Sequence, residues 1–265
     1  MVKIISIANQ KGGVGKTTTS INLCASLAAY KKRVLLIDLD PQGNATMGSG
    51  INKQGCEVSV YHVLTGKKEA ADAIKRSDAG KYDILPANRD LVAAEVELMK
   101  EIGRESRLKI ALEEQSINYD YIVIDCPPTL NMLTVNALVA SEGVIIPMQC
   151  EYFALEGLAD LNNTIKQIAK LINPSLHIQG ILRTMYDPRS SLTNAVTAQL
   201  RKYFGDRVYR VSIPRNVRLA EAPSHGLPAL MYDRNSKGSM AYLALAGEML
   251  KIEKNKESQN MLKEQ

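Results

Sequence analysis

The segment from Lys3 to Thr19, KIISIANQKGGVGKTTT, constrains this 265-residue chain more than any other. It opens with a run of apolar residues that suits a buried parallel strand. A glycine-rich turn follows, and Thr17 to Ala29 then carries apolar residues at helical spacing, among them Ile21, Leu23, Ala25, Leu27 and Ala28. Strand, glycine turn and helix, in that order, make a cradle for phosphate. Gly12, Gly13 and Gly15 let the backbone approach an anion with no Cβ in the way. The helix beginning near Lys16 aims the positive end of its dipole at the same point. Lys16 is placed to reach the β- and γ-phosphates, and the Thr17 hydroxyl to coordinate Mg²⁺.

The pattern departs from G-x-x-x-x-G-K-[ST] in one position. Gln10 stands where the first glycine belongs, and a second lysine, Lys11, directly precedes the glycines. The string Lys11-Gly12-Gly13-Val14-Gly15-Lys16-Thr17-Thr18 resembles the deviant phosphate loop of the ParA/MinD group of ATPases. That resemblance implies that residues 11 to 18 contact ATP and that Lys11 reaches across a dimer interface to the partner's nucleotide. A glycine-rich turn with two solvated lysines is the alternative.

Two further strand ends carry carboxylates. Arg33 to Leu39 reads as a strand, with Asp38 at its carboxyl end and Asp40-Pro41-Gln42-Gly43-Asn44 beyond it. Open α/β sheets bind ligands at that end of their strands. Asp38 is sited to support Mg²⁺ or its waters, and Asp40 to orient or deprotonate an attacking water; a turn capped by Asp40 is the plainer alternative. The string resembles ParA proteins, in which the second aspartate is the hydrolytic residue. Tyr119 to Asp125 is an apolar run ending in aspartate, so Asp125 is expected to hold Mg²⁺ through a water. Asp125-Cys126-Pro127-Pro128 resembles the switch segment of the same ATPases. Further on, Pro214-Arg215-Asn216 resembles a ParA segment that flanks adenine. Pro214 and Asn216 are therefore candidates for base contact, with a turn and helix cap as the alternative.

The remaining pattern alternates strands and helices. Strands are expected at Tyr82–Ala87, Gly143–Met148, Ile178–Met185 and Val208–Ile213. Helices are expected from Asn88 to Lys100, Glu105 to about Gln115, Asn131 to Ala140, Glu156 to Ile172, Thr193 to Phe204, and Met240 to about Lys254. Residues 48–80 read as a loop with short helices at 58–64 and 69–74. This predicts an α/β fold: a single doubly wound domain over 1–254, mostly parallel, with helices on both faces, of the P-loop NTPase type. Residues 255–265 are polar and expected to fray. With the first strand starting at residue 2 or 3, no helix-turn-helix extension is expected.

Composition narrows the class. A hydrophobic fraction of 45% and a charged fraction of 23% are ordinary for a soluble globular protein. With no Trp and two Phe, the core must be aliphatic and tyrosine-based. Cys24, Cys56, Cys126 and Cys150 are far apart and read as buried thiols, and the three histidines lack ligand spacing. No apolar run of about 18 residues offers a membrane span. A cytoplasmic location is expected.

Residues 183–218 carry eight basic residues, Arg183, Arg189, Arg201, Lys202, Arg207, Arg210, Arg215 and Arg218, against Asp187 and Asp206. Such an excess can bind a DNA backbone without reading sequence; a solvated basic surface is the alternative. The resemblance adds that ParA proteins bind DNA non-specifically as ATP dimers, and it carries DNA contact to Arg189 and Arg218. It implies a ParA/Soj-type partitioning ATPase that is nucleoid-associated, forms an ATP-dependent homodimer and is stimulated by a ParB/Spo0J-type centromere-binding partner. A MinD-like membrane-cycling regulator is the main rival, but the tail from Lys254 to Gln265 has only two adjacent apolar residues and no aromatic, a poor anchor. A NifH-type iron–sulfur reductase would need cluster-bridging cysteines, and Cys126 has no evident companion.

Overall fold

A computed structural model describes residues 2–113 and 118–263. In chain order the elements are β1 (Lys3–Ile7), α1 (Lys16–Ala29), β2 (Val34–Asp38), α2 (Asn44–Gly48), α3 (Val60–Leu64), α4 (Ala70–Ala73), β3 (Lys75–Ser77) and β4 (Tyr82–Leu85). There follow α5 (Leu91–Leu98), α6 (Arg107–Glu113), β5 (Tyr121–Asp125), α7 (Met132–Ala140), β6 (Gly143–Gln149) and α8 (Ala154–Leu171). The chain closes with β7 (His177–Tyr186), α9 (Ser191–Phe204), β8 (Val208–Pro214), α10 (Val217–Glu221), α11 (Ala229–Tyr232) and α12 (Lys237–Lys263).

The strands form one sheet in the order β3-β4-β2-β5-β1-β6-β7-β8. Every pairing is parallel except β3 with β4. Neighbouring strand residues point to opposite faces, so the central strands feed two cores. Leu35, Ile37, Ile122 and Ile124 pack with α3, α5, α7 and α8 on one face. Val34, Leu36, Tyr121 and Val123 pack with α1, α10 and α12 on the other. The expected doubly wound α/β fold is therefore the observed one. Because β2, β5 and β1 lie side by side, Asp38 and Asp125 are register partners at adjacent strand ends, next to the turn after β1.

Several boundaries differ from expectation. The region 48–80 adds β3, a three-residue antiparallel edge strand. Its sequence Lys75-Arg76-Ser77 has no apolar alternation to betray it, and pairing with β4 alone defines it. The helix expected to end near Gln115 is seen as far as Glu113, and its predicted end lies outside the described residues. The last helix is longer at both ends than expected. It continues through the segment expected to fray as far as Lys263. Tertiary contacts support its extension: Lys3 pairs with both Glu253 and Glu257, and the Tyr121 hydroxyl donates to Glu253. Residues 264 and 265 lie outside the described residues. No helix among the described residues is long and apolar enough to cross a membrane.

Candidate nucleotide site

The turn between β1 and α1 is held from below by neighbouring strands. Asn9 Nδ2 donates to the Pro147 carbonyl at 2.8 Å, and Asn9 Oδ1 accepts the Lys11 N–H at 2.9 Å. Thr184 Oγ1 donates to the Val14 carbonyl at 2.8 Å, and Gln149 Nε2 to that of Gly13 at 3.3 Å. Gly13 and Gly15 have φ of 72° and 88°, a region that a β-carbon disfavours. Gly15 is the N-cap of α1. No side chain caps the helix there and no acidic residue lies in its first turn, so the first-turn N–H groups are left to an external anion.

Lys16 is buried, at 7% exposure, and its Nζ donates to the Lys11 carbonyl at 3.1 Å. Burial lowers its pKa, while Asp125 and Asp40 oppose that shift. An ammonium taken out of water, with a backbone carbonyl as its hydrogen-bond partner, is a site that an anion would complete. Lys11 is disposed differently. Its amine is half exposed and pairs with Glu151 Oε2 at 2.5 Å.

The carboxylates form a second layer. Asp125 is fully buried; Thr17 Oγ1 donates to its Oδ2 and Ser20 Oγ to its Oδ1, both at 2.8 Å. Desolvation, followed by the neighbouring Asp38 charge, pushes its pKa up to about 8. Asp38 is buried too, and its pKa is raised to about 6, chiefly by desolvation. Its Oδ1 accepts the Asp40 N–H at 3.1 Å; its Oδ2 accepts both the N–H and the hydroxyl of Thr46 at 2.8 Å. Asp38 is thus the brace that holds the following turn. Asp40, half buried, accepts the Gln42 N–H at 2.9 Å, and its own carbonyl accepts that of Gly43.

The site accommodates ATP and Mg²⁺. It offers a loop without β-carbons, an uncapped helix start, a buried ammonium, and a hydroxyl bonded to a buried carboxylate whose raised pKa a cation would relieve. Among the described residues no cluster of three or more His, Cys, Asp or Glu is poised for a metal. A cation at Thr17 and Asp125 would therefore take most ligands from phosphate and water, as Mg²⁺ does.

Other expected residues are placed as follows. Thr18 sits half buried in the first turn of α1, its carbonyl accepting from Asn22 Nδ2. Pro214 ends β8. Asn216 caps α10, its Oδ1 accepting the Leu219 N–H at 3.3 Å, which leaves its NH₂ as the group open to a base. Arg189 is clasped by Asp187 through two hydrogen bonds of 2.9 and 2.8 Å. Arg218 pairs with Glu221 at 2.8 Å and Asp233 at 3.3 Å. Arg183, counted in the basic stretch as a surface charge, is buried. It donates to the Tyr209 and Arg210 carbonyls at 2.9 and 3.0 Å and lies against the Tyr186 ring, so it is a structural arginine. Ser20, Thr46, Thr184, Gln149 and Glu151 escape the sequence reading. Only Ser20 left a trace, one helical turn beyond Thr17 and hence on the same face.

A family model described as an AAA domain matches residues 2–178. The chain is 55% identical over 249 residues to the sporulation initiation inhibitor protein Soj of Bacillus subtilis, covering 94% of this chain and 98% of that one. It is 49% identical over 259 residues to the chromosome partitioning protein ParA of Caulobacter vibrioides, covering 97% of each. Among solved structures it is similar to cobyrinic acid a,c-diamide synthase from Mycobacterium smegmatis with bound ADP and magnesium, at a TM-score of 0.84 and 38% identity over 96% of each chain.

Proposed function

Because this chain belongs to the ParA/Soj family of partitioning ATPases, we propose that its Mg²⁺-dependent ATP hydrolysis drives a DNA-partitioning cycle. ATP binding closes a sandwich dimer, in which Lys11 of each subunit leaves Glu151 and reaches the other's phosphates. The dimer holds double-stranded DNA without regard to sequence. A ParB-type centromere-binding partner stimulates hydrolysis, which releases the DNA. The protein thus shuttles between cytoplasm and nucleoid.

The geometry supports the following roles. Lys16 neutralises charge on the transferred phosphoryl group from inside the loop. Thr17, Asp125 and Asp38 would hold Mg²⁺ and its waters, and the metal when bound would supply charge stabilisation to the phosphates. Asp40, fixed on the turn that Asp38 braces, orients the attacking water. Residues 11 to 18 wrap the phosphates, while Pro214 and Asn216 border the base.

The observation that carries this reading is the division of labour between two lysines on one loop. Lys16 is buried at the phosphate cradle, whereas Lys11 is exposed at its lip and held by an equally exposed carboxylate. The experiment is retention of the purified protein on DNA with ATP, ADP or no nucleotide, at two salt concentrations. Retention that needs ATP and weakens with salt is expected. ATP-driven dimers that ignore DNA would overturn the partitioning role while leaving the ATPase.

A further inference from the structure

Arg183 is the one cation of the basic stretch that the fold buries, at 3% exposure. Its guanidinium meets two backbone carbonyls and the Tyr186 ring rather than a carboxylate, and its Nε has no hydrogen-bond partner among the described residues. A charge buried on those terms costs stability, and an apolar side chain of similar size would pack there at less cost. What the guanidinium does in return is hold the backbone of the neighbouring strand.

That strand, β8, lies at the edge of the sheet and does not pair with β7 in a steady register. Val208 stands opposite Ile181 and Ser212 opposite Arg183, so two residues of β8 are looped out of the ladder between them. Drawn straight, with the later pairing unchanged, β8 would put Arg210 opposite Arg183 and carry Pro214 about 6–7 Å farther along the edge. A bulge strips peptide groups of their ladder partners. Two side chains take these groups up. Arg183 Nη2 donates to the Tyr209 and Arg210 carbonyls at 2.9 and 3.0 Å. Glu248, on α12, accepts the N–H groups of Arg210 and Val211 at 2.8 and 2.9 Å. The same guanidinium lies 4.9 Å from the centroid of the Tyr186 ring, and Tyr186 is the residue opposite Pro214.

We infer that Arg183 and Glu248 are positioning residues for nucleotide binding. They stitch the bulge that sets how far β8 runs, and so fix where Pro214 and Asn216 stand at its end. The inference rests on the reading above in which Pro214 and Asn216 border the base, and it adds what determines their place. Bulges at a sheet edge re-aim the residues beyond them, and here those residues lead directly into the Asn216 cap of α10. Arg183 also adjoins Thr184, whose hydroxyl braces the phosphate loop at Val14. Base and phosphate effects must therefore be read apart.

The test uses the full chain with Mg²⁺ and two ligands, ATP and inorganic tripolyphosphate, which carries the phosphates without the base. Dissociation constants come from competition against radiolabelled ATP, alongside single-turnover hydrolysis at saturating ATP and thermal melts. Asn216→Ala is the control for base contact. Arg183→Leu should weaken ATP by about fivefold to tenfold, the scale of one lost hydrogen bond. It should leave tripolyphosphate at the wild-type constant and the saturated hydrolysis rate unchanged, the pattern of a lost binding contact. Arg183→Lys, which can still donate to both carbonyls, should restore ATP affinity. Glu248→Gln leaves one N–H of the bulge without its acceptor; it should shift ATP in the same direction, and it decides the matter if Arg183→Leu does not fold. Wild-type ATP affinity in Arg183→Leu and Glu248→Gln, with Asn216→Ala weakened, would overturn the inference and leave the base-bordering reading intact. Equal weakening of ATP and tripolyphosphate would also overturn it, making Arg183 a support of the phosphate loop through Thr184. Wild-type ATP affinity in Asn216→Ala would overturn both.

Discussion

Lys11 Nζ lies 2.5 Å from Glu151 Oε2 of the same chain, at the outer lip of the phosphate loop. Glu151 follows β6, and Lys11 follows β1, the strand beside it. The side chain proposed to cross a dimer interface is thus held at home in the single chain. Both partners are about half exposed, so the pair is worth only roughly 0–1 kcal/mol. That is weak enough to be exchanged for a nucleotide phosphate. Glu151→Gln should therefore tighten ATP-dependent dimerisation, by up to about tenfold in dissociation constant, and Lys11→Ala should abolish it while ATP still binds. Sedimentation velocity across a protein dilution series measures both. An unchanged dimer constant in Glu151→Gln would remove the pair from the dimerisation equilibrium.

Gly12 and Gly15 should respond oppositely to a valine. A β-carbon at Gly12 meets nothing within 4 Å in the free chain, and Gly12 is not among the residues at positive φ. Gly12→Val should melt like wild type yet fail to dimerise, because the added bulk projects where the partner would close. At Gly15, φ is +88° and the new side chain faces Thr184. Gly15→Val should lose about 1–2 kcal/mol of stability from the left-handed backbone alone, and ATP affinity with it. Thermal melts alongside nucleotide titrations separate the two.

Asp40→Ala should keep ATP binding and dimerisation but slow single-turnover hydrolysis by at least about 10²-fold, the usual scale for a lost positioning or general-base group. Its structural cost is the one hydrogen bond to the Gln42 N–H, about 1 kcal/mol. A variant that hydrolyses at the wild-type rate would move the water-orienting role elsewhere.

Stability without nucleotide should fall as pH rises from about 4 to about 8. Burial raises the pKa of Asp38 to about 6 and that of Asp125 to about 8, from an ordinary value of 3.8. Across this window the folded chain holds more protons than the unfolded one, so raising the pH favours unfolding. Mg²⁺ with ATP should flatten the decline, because a cation at the site favours the ionised carboxylates. Asp125→Asn should flatten it as well. Melting temperatures against pH, with and without Mg²⁺ and ATP, provide the check; a melting temperature that climbs through this window in the free protein would contradict it.

What the chain spells out locally, it determined without help. The phosphate loop is contiguous, and its strand, glycines and helix dictate one another over seventeen residues from Lys3 to Thr19. Asp38 and Asp125 were visible for the same reason, each closing an apolar strand at the end where such sheets bind ligands. Strand-and-helix alternation was enough for the doubly wound sheet, though not for β3, which exists only because β4 offers it an edge.

Only the tertiary structure decided which distant residues meet. Thr184 and Gln149 brace the loop from strands more than a hundred residues away, and the Thr46 side chain closes back on Asp38 across the intervening turn. The basic stretch shows the limit most clearly. Along the sequence Arg183 to Arg218 is one run of charge; in space Arg183 is buried, Arg189 and Arg218 are self-paired, and Arg201, Arg207 and Arg210 are at the far end of the sheet. A parallel crossover must return the chain to the starting end of the sheet before the next strand begins. It therefore carries neighbouring charges to opposite ends of the molecule, and no count of residues along a line records that separation.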